Sequence, residues 1–355
     1  MNARIKIVLT LFLGIGTLSS VAAQTSNDNE RHIDEPYINT ITANAHVHKA
    51  RKGIMIIGDS GSVIAASPFG YNSIRLKDYA SVANSYKETF GPDVNIYCMP
   101  IPLSSAYYTP DSALSWTSDQ RNAINKLFAA LSKSVQPVNI FTTLGQHAAE
   151  PIYSRTDHHW APLGAYYAAQ HFAEVAQVPF LDLSHYDTVV HHDYLGTMFM
   201  YSKDSLVIKS PEDFVYYVPR DIEYTTYYVN LKIDKRHKNA ITEGTEYTGR
   251  FFIPTFTGSS SYCVFGGGDY KIIRVETSAN NGRRLLILKD SFGNALTGYL
   301  LASFEQIHVI DCRYFKRNLK KYVEQYNITD ILFANNISHA SMEVTCNSYR
   351  NYLVQ

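Results

Sequence analysis

Residues 285–293 read Leu285-Leu286-Ile287-Leu288-Lys289-Asp290-Ser291-Phe292-Gly293, an apolar run of strand length that stops at Asp-Ser. A helical pattern follows at once. Phe292, Leu296, Leu300 and Phe304 recur at i, i+4, i+8 and i+12 and predict a helix over 293–304. Ser291 then sits where a strand ends and a helix begins. Its hydroxyl stands off the sheet edge beside the unpaired N–H groups of the first helical turn. Acyl transfer needs that pairing of an exposed nucleophile with donors for a developing oxyanion. Asp and Ser also cap helices for purely structural reasons. The rest of the chain has to decide between the two.

Downstream, a strand at 307–310, a helix at 316–326 and a strand at 331–333 complete a β-α-β-α-β run. Such a run implies parallel strands joined by right-handed crossovers. Upstream, strands are expected at 53–57, 62–66, 94–98 and 138–142, with helices at 73–90 and 117–134 and a short one near His147. Pro162 opens a further helix over 163–176. Residues 186–275 are rich in Tyr, Thr, Val and Gly and read as a β-rich insertion, strands and loops inserted into or appended to an α/β frame. Parallel strands deliver their C-terminal ends to one rim, where open α/β sheets bind ligands. Here those ends are Asp290-Ser291, Asp311-Cys312-Arg313 and Asn335-Asn336. Arg313 and Asn335 are therefore candidate donors beside the serine.

A nucleophilic serine needs a base, and the base needs an orienting group. Thr156-Asp157-His158-His159-Trp160 lies on a loop just before the 163–176 helix. Two residues apart, Asp157 can face His159 across a tight loop and fix its tautomer. A helix-entry cap with a stacked ring is the structural alternative.

These two motifs together resemble the bacterial DHHW protein family. That family is related to the SGNH-like O-acetyltransferases of alginate modification, which pair Asp-x-His-Trp with a late Asp-Ser-Phe. The resemblance spans roughly residues 50–340 and includes Phe265-Gly266-Gly267-Gly268 before the serine strand. It implies an SGNH-hydrolase-like three-layer sandwich with a mainly parallel sheet. It also implies Asp157 as orienter, His159 as base and Ser291 as nucleophile. Trp160, Phe292, Arg313 and Asn335 are candidate oxyanion or substrate-binding residues, of which Arg313 and Asn335 match the family's pattern only loosely. Serine comes first in other SGNH hydrolases and last here, but roles and not order define a triad.

Gly58-Asp59-Ser60 copies the early Gly-Asp-Ser of those other hydrolases. The next residues, Gly61-Ser62-Val63-Ile64-Ala65-Ala66, spell a turn and a second strand-like run, which is hairpin chemistry. Ser60 is set aside on that ground. Asp157-His158-His159 and His191-His192-Asp193 raise a metal site, but neither has the i, i+4 spacing of a zinc helix. No cofactor is implied.

Composition bounds the rest. The chain has 355 residues, 45% apolar and 18% charged, and 32 basic against 32 acidic residues leave no formal charge. Nothing argues for nucleic acid or an anionic membrane surface. Residues 1–23 read as a signal peptide, with a basic start, an apolar run from Ile7 and Val21-Ala22-Ala23 before the cleavage point. Residues 24–50 read as a flexible polar segment and 51–355 as the folded domain. The protein is thus expected to be periplasmic or secreted, with no membrane span after cleavage. Cys98, Cys263, Cys312 and Cys346 could pair, but have no C-x-x-C spacing.

Three functions compete. The first is a serine O-acyltransferase or esterase acting on acyl groups, above all acetyl, of an envelope polysaccharide or other acylated glycan. A membrane acyl-donor protein is then a further expected partner. The second is a non-catalytic carbohydrate-binding relative, and the third a metal-dependent hydrolase.

Overall fold

The structure, a computed structural model, describes residues 30–234 and 240–355. The expected signal peptide lies outside them. Three short strands, β1 (Val47–Lys49), β2 (Met55–Ile57) and β3 (Ile64–Ala66), form a small antiparallel sheet. The main sheet has eight strands. Five of them, β4 (Asn95–Cys98), β5 (Val135–Pro137), β11 (Arg284–Lys289), β12 (Gln306–Asp311) and β13 (Asp330–Ala334), run parallel in the order β5-β4-β13-β11-β12. The sheet continues antiparallel beyond β12 through β10 (Lys271–Thr277), β8 (Tyr224–Asp234) and β9 (Ala240–Gly249). A separate hairpin pairs β6 (Tyr186–Tyr194) with β7 (Glu212–Pro219).

Helices cover both faces. Tyr79 and Tyr86 of α1 (Ser73–Phe90) and Tyr349 of the C-terminal helix Glu343–Tyr352 meet Phe333 of β13 edge-on. On the other face Phe172 of the helix Pro162–Ala176 meets Tyr97 of β4. Burial on both faces is why Leu285, Leu286, Ile287 and Leu288 form an unbroken apolar run, each with no exposed surface. The fold is a three-layer α/β sandwich with a mainly parallel sheet.

Three expectations are corrected. Residues 138–142 do not form a strand: Asn139 accepts a hydrogen bond from Thr142 N–H and caps the helix Ile140–Gln146, overriding the β-branched composition. The helix expected over 293–304 is only a 3-10 turn, Ser291–Asn294, and one α-turn, Leu296–Tyr299. Every residue from Phe292 to Leu301 is buried there, so the helical periodicity marked an all-round buried segment, not one face. The β-rich stretch divides as its two readings allow: β8 to β10 are appended to the main sheet, and β6 and β7 pair apart from it. Residues 30–50 are tied down: Arg31 reaches the backbone carbonyls of Ser132, Lys133 and Val135, and Ile33 is buried. All four cysteines are free thiols.

Candidate active site

Ser291 follows β11, which lies between β13 and β12, so its turn has rim neighbours on both sides. Asp290 builds that turn. Its side chain is fully buried, with Oδ1 accepting from Phe292 N–H and Oδ2 from Asn336 N–H and Asn336 Nδ2. His339 Nδ1 lies 3.2 Å from Oδ2, within ion-pair reach though off the hydrogen-bond line. Burial alone would raise the Asp290 carboxyl, but His339 and the N–H donors hold it below its ordinary value. Gly293 is needed behind the serine, because a Cβ there would stand 2.5 Å from Lys289 Cβ.

The loop 156–160 arrives opposite. His159 Nδ1 lies 2.6 Å from Asp157 Oδ1, and His159 Nε2 lies 2.8 Å from Ser291 Oγ. Tyr262 stacks on the His159 ring at 3.9 Å and donates from its hydroxyl to Phe292 O. Trp160 donates from Nε1 to the same carbonyl at 2.9 Å. That indole is wholly buried, so it fastens the histidine loop to the serine turn and presents no surface to a ligand.

The second carboxylate oxygen of Asp157 accepts from Thr197 N–H at 2.8 Å and Thr197 Oγ1 at 2.9 Å. Gly196 allows this approach, because a Cβ there would overlap Asp157. Burial would lift the Asp157 carboxyl, but the His159 ring, then His158 and Thr197, hold it well below the usual carboxylate range. Glu212 ties down the loop's start by accepting from Arg155 N–H, Thr156 N–H and the Thr156 hydroxyl.

Asp157, His159 and Ser291 are thus brought together, and three other sequence candidates are committed elsewhere. Asn335 is buried and accepts from the hydroxyls of Tyr79 and Tyr349, 2.7 Å each, with its amide toward Cys312 Sγ. Arg313 is paired with Asp311 and Asp269, which also hold the buried Lys289. Phe292 N–H is taken by Asp290. Ser291 N–H has no partner among the described residues.

Ligand-type atoms of Asp157, His158 and His159 lie within 4.8 Å of one another. Both ring nitrogens of His159 and both oxygens of Asp157 already hold protein hydrogen bonds, so a cation would have to displace Ser291 or Thr197. His192 of β6 pairs instead with Asp213 of β7, both exposed, and His191 with Ser261. Sequence reasoning missed Thr197, Glu212 and Tyr262. Their partners lie 30 or more residues away, and Gly196 is the one local sign of a close approach.

Residues 21–310 match the family model described as DHHW protein. The chain belongs to the DHHW protein family. A DHHW family protein from Eubacterium siraeum DSM 15702 is 34% identical with a TM-score of 0.77, over 88% of this chain and 98% of that one. The structure of Bacillus cereus PatB1 with a sulfonyl adduct is 19% identical with a TM-score of 0.63, over 85% and 98%. The O-acetyltransferase domain of Pseudomonas putida AlgJ is 12% identical with a TM-score of 0.43, over 87% and 100%. Among curated proteins the sequence has no match. Among the described residues of this DHHW chain, no helix is long and apolar enough to cross a membrane.

Proposed function

We propose that this DHHW protein is an exported serine-dependent O-acyltransferase or esterase, acting on acetyl or similar acyl groups of a cell-envelope polysaccharide. The carrying observation is the run of hydrogen bonds from Asp157 through His159 to Ser291, 2.6 Å and 2.8 Å long. In this reading His159 Nε2 takes the hydroxyl proton as Ser291 Oγ attacks the acyl carbonyl. Asp157 stabilises the resulting imidazolium. The oxyanion meets Ser291 N–H, and its collapse expels the donor alcohol, which takes the proton from His159. Water then releases the acyl group, or a sugar hydroxyl accepts it.

Two further facts support the reading. The fold is shared with PatB1, whose structure holds a sulfonyl adduct, the kind of group a nucleophile acquires. The signal-peptide pattern before Gln24 supports export. The polysaccharide enters through the family resemblance.

A fluorophosphonate or sulfonyl fluoride probe tests the nucleophile. Wild type and Ser60→Ala are expected to label, and Ser291→Ala is not. Labelling that persists in Ser291→Ala refutes the assignment.

A further inference from the structure

His158, next to the base in sequence, takes no part in the hydrogen bonds that run from Asp157 to Ser291. It lies tilted by 39° against His159 with ring centroids 3.8 Å apart, and its side chain is 30% exposed. Its Nδ1 lies 2.6 Å from Thr197 Oγ1. The direction of that hydrogen bond is set by what Thr197 does on its other side. Asp157 is ionised and can only accept, so the single hydroxyl proton of Thr197 goes to Asp157 Oδ2. The hydroxyl oxygen must then accept from His158, which therefore carries its proton on Nδ1. His158 Nε2 is left as a bare lone pair, with no partner among the described residues.

Burial, then the neighbouring His159, push the His158 pKa down to about 4, against the pull of Asp157, Asp290 and Asp269. The ring is neutral near pH 7 and its Nε2 can only accept. Next to it, Tyr201 is 38% exposed, its ring centroid 5.9 Å from the imidazole. A cavity of about 280 Å³, lined by Lys52, Ile54, Ser67, Pro68 and Tyr201, adjoins that ring. The exposed part of the Tyr201 ring, with Lys52 Nζ as a donor 4.8 Å over its centroid, beside one oriented polar acceptor suits a sugar, which has apolar ring carbons and hydroxyls at its edge.

We propose that His158 Nε2 and the Tyr201 ring form the acceptor-sugar subsite, the lone pair receiving a hydroxyl next to the one that becomes acylated. This rests on the acyl-enzyme reading of Ser291. In the transfer step the acceptor oxygen bonds to the acyl carbon as the bond from that carbon to Ser291 Oγ breaks. The acceptor's proton passes to His159 Nε2 and from there to the departing Oγ. His158 exchanges no proton; it holds the sugar so that the attacking oxygen points at the carbonyl.

The test offers the acetyl-enzyme formed from p-nitrophenyl acetate either methanol or methyl glucoside at equal concentration. The sugar-to-methanol ratio of transfer rates is compared for wild type, His158→Asn, His158→Gln and Tyr201→Ala. Methanol has neither a second hydroxyl nor a ring face. Asn can still donate to Thr197 but puts nothing where Nε2 was, whereas the longer Gln amide can restore an acceptor. His158→Asn is expected to lower the ratio about five- to tenfold, the worth of one hydrogen bond. Part of it returns in His158→Gln, and Tyr201→Ala lowers it as well. The ratio is internal to each variant, so overall loss of activity does not enter it. Should His158→Asn fail to fold, the Gln and Tyr201→Ala ratios decide. An unchanged ratio, or a wild-type acyl-enzyme that never favours the sugar over methanol, overturns the subsite. A missing p-nitrophenol burst in wild type, or one that survives in Ser291→Ala, overturns the acyl-enzyme reading and the subsite with it.

Discussion

Two turns in this chain spell Asp-Ser after an apolar strand, and they end in opposite surroundings. Asp290 has no exposed surface and three hydrogen bonds, and Ser291 beside it meets an imidazole. Asp59 and Ser60 are exposed in the turn of the β2–β3 hairpin, where Gly58 and Gly61 take positive φ of 93° and 94°. The dipeptide is the same; the sheet is not. β11 sits inside a parallel sheet, so the strand ends on either side bring Asn336 and the Asp311–Arg313 pair to the same rim. β2 sits between two antiparallel partners, and its turn leaves toward solvent. Strand order, more than the local motif, decides what an Asp-Ser turn can do.

The largest effect that could break this comparison is on rate. Ser291→Ala is expected to lower hydrolysis of p-nitrophenyl acetate about 10⁴-fold, the scale lost when a nucleophile is removed. Ser60→Ala should stay within about twofold of wild type. If steady-state kinetics ranked the two the other way, the hairpin would be the site and the rim a scaffold.

The second contrast is in stability. Asp290→Ala strips a buried carboxylate from Phe292 N–H, from both donors of Asn336 and from His339. Leaving those groups unpaired costs on the order of 3 kcal/mol. Asp59→Ala, on an exposed turn, should change stability by less than about 0.5 kcal/mol. Urea unfolding followed by circular dichroism measures both, and equal losses would mean that Asp290 is not holding the turn.

How much of this could be read beforehand depends on range. Leu285 to Leu288 spelled a strand buried on both faces, and the apolar spacing of 73–90 spelled a helix that Asn72 caps. Asp157, His159, Trp160 and Ser291 could be named because each stands in a short motif, and the structure sets them within hydrogen-bond reach of one another or of the serine turn. Asn335 and Arg313 were placed on the correct rim. Tyr79 and Tyr349 hold the first, Asp269 and Asp311 the second, and of these partners only Asp311 lies in a motif with its residue. Thr197 could not be found at all, since its bond to Asp157 spans 40 residues and depends on the path of the loop after β6. Local patterns fix strands and turns; what a rim residue faces is set by contacts between segments distant in sequence.

The smallest effect sharpens the comparison from the side of the base. His158 is ordinarily half-protonated near pH 6.5, and in the folded chain its pKa falls to about 4 because burial and His159 disfavour the charge. Between those values the unfolded chain binds a proton that the folded chain refuses. Its contribution is therefore fully present above pH 6.5 and is lost as pH falls toward 4. Discounted for a side chain 30% exposed, this amounts to about 1–2 kcal/mol. Buried His308, pushed down to about 3, adds to the same slope. His171 and His339, both raised by carboxylate partners against burial, act with the opposite sign and lose their contribution as pH climbs above 6.5. Thermal melts of His158→Asn should therefore show a shallower fall between pH 6.5 and 4 than wild type, while Ser60→Ala, which removes no titrating group, keeps the wild-type slope. Parallel slopes for wild type and His158→Asn would place the acid sensitivity away from the loop that faces Ser291. The lone pair assigned to His158 Nε2 would then belong to a ring that titrates like a surface histidine.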